Sequence, residues 1–123
     1  MRIPISGGNE NEALTAPGTD VRCILSRGTT LADFDGDGRV FELQSLEITN
    51  EHATQLAEVA VYDQDEAAAV AASQRLNLYA PAQDTVQYTW DRGKGPRFAT
   101  NIAAGTTNGT IPAFGVRCGG ELI

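Results

Sequence analysis

Cysteine is scarce in this sequence. Cys23 and Cys118 are the only two in 123 residues, and no Cys-x-x-Cys spacing occurs. That excludes a disulfide-rich scaffold and a thiolate zinc finger. No stretch approaches the ~20 consecutive apolar residues of a membrane helix, and the amino terminus lacks the basic-then-apolar order of a secretory signal. A protein made in a cytoplasm, with no membrane partner, is the expectation. Basic side chains are outnumbered nine to sixteen, for a formal charge of −7. Such a surface repels a phosphate backbone, so nucleic acid is not an expected partner. Histidine occurs once, as His52 within a polar Asn-Glu-His-Ala-Thr turn, where surface solvation is its expected role. No Gly-x-Ser-x-Gly element appears, and Arg92-Gly93-Lys94-Gly95 lacks both the spacing of a phosphate loop and a following helix. The expectation is a protein that is not an enzyme and needs no cofactor.

What is present is a series of short segments with period-two alternation, separated by turn clusters. Val21–Leu25 places Val21, Cys23 and Leu25 on one face. Val40–Ile48 points Phe41 and Leu43 inward and then slips phase to Leu46 and Ile48, which predicts a β-bulge near Ser45. Leu56–Tyr62 alternates Ala57, Val59 and Val61 against Glu58, Ala60 and Tyr62. Arg75–Ala80 alternates Leu76, Leu78 and Ala80 against Arg75, Asn77 and Tyr79. Thr85–Trp90 directs Val86, Tyr88 and Trp90 one way, Arg97–Ile102 directs Phe98 and Ile102, and a last strand directs Phe114, Val116 and Cys118. The Ala-rich segment Asp65–Ser73 is the one helical candidate, its opening acids suiting a helix amino end. About seven strands in one domain over residues 21–123 predict an all-β fold, an antiparallel β-sandwich or small barrel.

Residues 1–20 are rich in Gly, Asn, Glu and Pro with isolated apolar residues, a composition that cannot order itself by burial. They predict an extended N-terminal arm that is dispensable for folding, with Arg2, Ile3, Pro4 and Ile5 as partner-binding residues. Two courses for it are open: along its own domain, or held by a neighbouring subunit.

Asp33-Phe34-Asp35-Gly36-Asp37-Gly38 matches the opening of a calcium loop, in which alternate carboxylates converge on one ion. The twelfth loop position is Gln44 where an EF-hand needs a bidentate Glu. Asp33, Asp35 and Asp37 are therefore candidate ligands for Ca²⁺ in a non-helical loop, completed by Glu42, with an acidic β-turn as the plainer reading. The two cysteines share parity with core-facing neighbours, which suits small buried hydrophobes. A Cys23–Cys118 disulfide is the alternative if the first and last strands are adjacent. Tyr88 and Trp90 suit core packing, with a sugar-binding platform as the alternative.

Charge is uneven along the chain: Asp33 to Glu66 holds ten acids and one base, whereas Arg75 to Arg117 holds five bases and two acids. Such halves either neutralise one another within a subunit or meet head to tail between copies.

Leu43-Gln-Ser-Leu-Glu-Ile-Thr-Asn50, Ala57-Glu-Val-Ala-Val-Tyr-Asp63, Arg75-Leu-Asn-Leu-Tyr-Ala-Pro-Ala82 and the Phe98 to Thr110 segment together resemble the core of small β-sandwich proteins of tailed-phage virions. The resemblance is to the capsid decoration, or cement, proteins and related head and tail appendages. It implies a homotrimer that docks on the major capsid protein at the outer face of the head and stabilises the shell, assembled in the host cytoplasm. It carries over no catalytic residues. A tail or head-tail connector protein and a calcium-dependent carbohydrate-binding module are the alternatives.

Overall fold

The computed structural model describes residues 2–9, 22–24, 39–64, 68–106 and 114–123. Nine strands are present among them: β1 (Ile3–Asn9), β2 (Arg22–Cys23), β3 (Phe41–Asn50), β4 (Ala57–Tyr62), β5 (Gln74–Ala80), β6 (Asp84–Thr89), β7 (Arg97–Phe98), β8 (Ala103–Thr106) and β9 (Phe114–Leu122). They form two antiparallel sheets. One has the order β1-β9-β3-β6, with β7 also pairing to β3, and the other has the order β2-β8-β4-β5. The all-β antiparallel sandwich expected from the alternation is the fold. Among the described residues the helical expectation at Asp65–Ser73 reduces to a 3-10 turn, Ala71–Ser73, and no helix is long and apolar enough to cross a membrane.

Alternating positions turn to opposite faces of a strand, so each sheet presents its apolar parity to the other. Phe41, Leu43, Leu46 and Ile48 of β3 meet Val116, Cys118 and Leu122 of β9 on one side of the core. Ala57, Val59 and Val61 of β4, with Ala80 and Ala104, form the other side. Val86, Tyr88 and Trp90 pack against this core, as do Leu76 and Leu78. The aromatic pair therefore packs inward as its parity predicts. Phe41 and Phe98 approach at a ring separation of 6.4 Å, within the range of favourable tilted aromatic pairs.

The phase slip in β3 is a bulge. Leu43 pairs with Gly120 and Ser45 with Gly119, leaving Gln44 as the extra residue. The inserted residue keeps Phe41, Leu43, Leu46 and Ile48 all inward, which strict alternation from 41 to 48 would forbid.

Three sequence expectations are corrected. Ile24, on the wrong parity of the first segment, is fully buried. The chain bends there, and its N–H donates to the Ile102 carbonyl at 3.0 Å. The Arg97–Ile102 segment is interrupted: β7 ends at Phe98 and β8 starts at Ala103. Asp63 causes the break, because its carboxylate accepts from the backbone N–H groups of Ala99, Thr100 and Asn101 and bends the chain around itself.

The third correction concerns the arm. Ile3 to Asn9 is strand β1, antiparallel to β9 with Ile3 opposite Leu122 and Ser6 opposite Gly119. Ile3 and Ile5 pack against the core. Over these residues the segment is a sheet edge of the domain and not an appendage. Ile3 and Ile5 supply its apolar parity, which was too short to read as a strand amid Gly and Pro. Residues 10–20 lie outside the described residues.

Candidate functional site

Antiparallel pairing places Glu42 of β3 directly opposite Glu121 of β9. Like charges facing each other across a ladder repel, so this register needs donors, and the fold brings them from four places. Arg2, just ahead of β1, sends Nη1 to Oε1 of both Glu42 and Glu121, each at 3.2 Å. Gln44, turned outward by the bulge, donates Nε2 to Glu121 Oε1 at 2.7 Å and to Glu42 Oε1 at 3.2 Å. Arg92 donates Nε to Glu121 Oε1 at 2.9 Å. The backbone N–H of Gly93 donates to Glu42 Oε1 at 2.8 Å.

The loop from Asp91 to Pro96 that carries these donors is bound to the bulged strand. Trp90 N–H donates to the Gln44 carbonyl at 2.9 Å, and Leu43 N–H to the Pro96 carbonyl at 3.0 Å. Gly95 lies so close that a Cβ there would sit 1.7 Å from the Leu43 carbonyl oxygen. Gly93 adopts φ +87°, the left-handed region that glycine enters without a Cβ penalty. The loop closes over Glu42, whose side chain is 0% exposed, whereas Glu121 keeps 14%. The second oxygen of Glu42, Oε2, has no hydrogen-bond donor. Arg97 Nη2 stands 3.7 Å from it, too far for a hydrogen bond and close enough for Coulombic attraction.

Both carboxyls are held below their ordinary value. For Glu42 the Gly93 N–H is the main cause, followed by Gln44 and Arg2, against an opposing desolvation cost. For Glu121 the Gln44 amide leads, followed by Arg92 and Arg2, again against desolvation. Both are therefore ionised at neutral pH. A general acid needs the reverse displacement, a carboxyl held protonated near the working pH. Chemically the cluster is an ionic latch that ties β1, β3, β9 and the 91–97 loop together.

The sequence-predicted sites distribute differently. Asp33, Asp35 and Asp37 lie outside the described residues. Glu42, expected to complete their calcium loop, faces guanidinium groups and an amide instead, and a cation beside Arg2 and Arg97 would be repelled. Among the described residues, no three His, Cys, Asp or Glu side chains gather to hold a metal. Of the partner-binding set, Arg2 is spent on the latch, Ile3 and Ile5 face the core, and Pro4 is exposed. Cys118 is a free, buried thiol, the setting of a small hydrophobe. The Cys23 side chain lies outside the described residues. His52 is more than a solvated residue: its Nδ1 accepts the backbone N–H groups of Thr54 and Gln55 at 3.1 and 2.9 Å, shaping the β3–β4 turn.

The latch was not foreseen. Its residues lie up to 119 positions apart, and only strand register makes them neighbours. Compared with known families and curated proteins, the chain matches no family model and no curated protein.

Proposed function

We propose that this protein is a structural component of a phage virion, a decoration protein that docks as a homotrimer on the major capsid protein and stabilises the shell. The observation that carries the reading is the outer face of the five-stranded sheet. Register lines up Ser6, Gly119, Ser45 and Thr89 across four strands and, four residues further along β3, Gly115, Thr49 and Thr85, with Arg117, Glu47 and Gln87 in the row between them. Thr49 and Thr85 join through their hydroxyls at 3.3 Å. Short polar side chains on either side of a charged row make a surface rich in hydrogen-bonding groups, the kind that beds against another protein surface with bridging water. The latch supports the same reading, since its ionisable groups are committed to holding this plate rigid. Rigidity lowers the ordering cost of docking.

The test is to purify virions from the source through a density gradient and count this chain by quantitative mass spectrometry. Hundreds of copies per particle, removed when Ser45→Arg and Thr89→Arg are introduced together in a protein that still folds, is the expected result. A chain that stays with the soluble fraction would overturn the proposal, and a few copies per particle would move it to the tail or connector.

A further inference from the structure

Among the described residues, strand β5 ends the four-stranded sheet and β6 ends the five-stranded one. The two edges lie side by side, and one side chain bridges them. Tyr88 of β6 donates its hydroxyl to the Tyr79 carbonyl of β5 at 2.8 Å and accepts from the Tyr79 N–H at 3.3 Å. An edge strand turns the N–H and C=O of alternate residues outward, where they form a template for another strand. Tyr79 is one of those residues, and a single hydroxyl occupies both of its outward groups. By parity Asn77 is the next.

The sequence of β5 is suited to pairing with itself. An antiparallel match of two copies about Asn77 sets Asn77 against Asn77 and Arg75 of each copy across from Tyr79 of the other. Arg75, Asn77 and Tyr79 are all exposed. Arg75 is the inserted residue at a register shift of β5 and reaches Asp63 and the Ala72 carbonyl within its own chain; turned from them toward Tyr79 of the other copy it makes a cation–π pair, made twice by the symmetry. On the inner face the same register sets Leu76 against Leu78, continuing the apolar surface of both cores. We infer that the β5 edge is a self-complementary docking strand for a second copy of this chain, held closed by the Tyr88 hydroxyl. A partner strand must displace that hydroxyl before it can reach Tyr79, so in the closed state assembly proceeds through other faces of the protein. The inference stands independently of the decoration reading: particle binding tests that one, and association of the free chain tests this one.

Tyr88→Phe removes the hydroxyl and keeps the ring. Sedimentation equilibrium should show this variant dimerising at least about tenfold more strongly than wild type, the equilibrium worth of one well-made hydrogen-bonding group. A second arm keeps Tyr88 and does not depend on the fold tolerating its loss. Asn77→Cys, made with Cys23→Ser, should form a 77–77 disulfide dimer under mild oxidation faster than Gln87→Cys, which lies on the exposed face of β6. Adding Tyr88→Phe should accelerate that cross-link. Dimers that form in Tyr88→Phe and cross-link through residue 77 establish the docking strand. A folded Tyr88→Phe that stays monomeric, or cross-linking at 77 no faster than at 87, overturns it.

Discussion

The backbone N–H of Gly93 points at Glu42 Oε1 from 2.8 Å, so a loop amide, not a second side chain, is the leading cause of that buried carboxylate's acidity. The same carboxylate meets Arg2 and faces Glu121 across the ladder. One residue thus joins the first strand, the last strand and the loop over them.

Stability should fall in acid for this reason. Glu42 and Glu121 both have folded pKa values lowered from the ordinary 4.5. A lowered folded value means that the unfolded chain binds protons first, so the stabilisation is complete above 4.5 and is lost as pH drops through the folded values. The melting temperature should be level from pH 7 to about pH 5 and decline below it. In Arg2→Ala the protein should be less stable at neutral pH and the acid decline shallower. Scanning calorimetry at a series of pH values checks this.

Two glycines in one loop should respond in opposite degree. Gly95→Ala drives a Cβ into the Leu43 carbonyl, a backbone group that cannot swing aside as a side chain can, and should cost about 3 kcal/mol or more. Gly93→Ala meets nothing within 4 Å. It should cost only the left-handed penalty, about 1–2 kcal/mol. Urea midpoints of the two variants give the comparison.

Asn50 should be among the costly polar positions. It is 1% exposed, and its Nδ2 donates to the carbonyls of Gln55 and Ala80 while its Oδ1 accepts from His52 N–H. It thereby fastens β3 of one sheet to β5 of the other. Asn50→Ala strands the Ala80 carbonyl in a buried setting and should cost about 2–4 kcal/mol. Asn50→Asp should not rescue it, because a carboxylate cannot donate to the two carbonyls. Chemical denaturation of both variants checks it.

Cys118 should be chemically silent in the folded state. Burial pushes its thiol up to about 12, and the thiolate is the reactive form. In a Cys23→Ser background, a thiol reagent at pH 8 should label residue 118 at the rate of global unfolding, and denaturant should raise that rate. Rapid labelling of the native protein would place the thiol at the surface.

Much of the fold was legible because its signal is local. Period-two alternation identified Phe41, Leu43, Leu46, Ile48, Val59, Val61, Val86, Tyr88 and Phe98 as core-facing, and the phase slip marked the bulge within one residue. The misses share a cause. β1 has only Ile3 and Ile5 to show its parity, and it is a strand because β9 supplies partners for its backbone. The break between Phe98 and Ala103 depends on Asp63, more than thirty residues away. The site is less legible still: Arg2, in a polar segment, reads as partner-facing, and Glu42 reads as part of the acidic loop nearest to it in sequence, whereas the fold sets it beside Arg97, Gly93 and Glu121.

The chain alone determined the class of fold, because pleated strands declare their inner face every second residue and turns declare themselves through Gly, Pro and Asp. It also determined the sign and size of the net charge. Which strand lies beside which was decided only in three dimensions, since backbone pairing between distant segments carries no side-chain code of its own. With that pairing came everything that depends on adjacency: two facing glutamates reconciled by Arg2, a loop amide aimed at a buried oxygen, and a tyrosine hydroxyl resting on the edge of the opposite sheet.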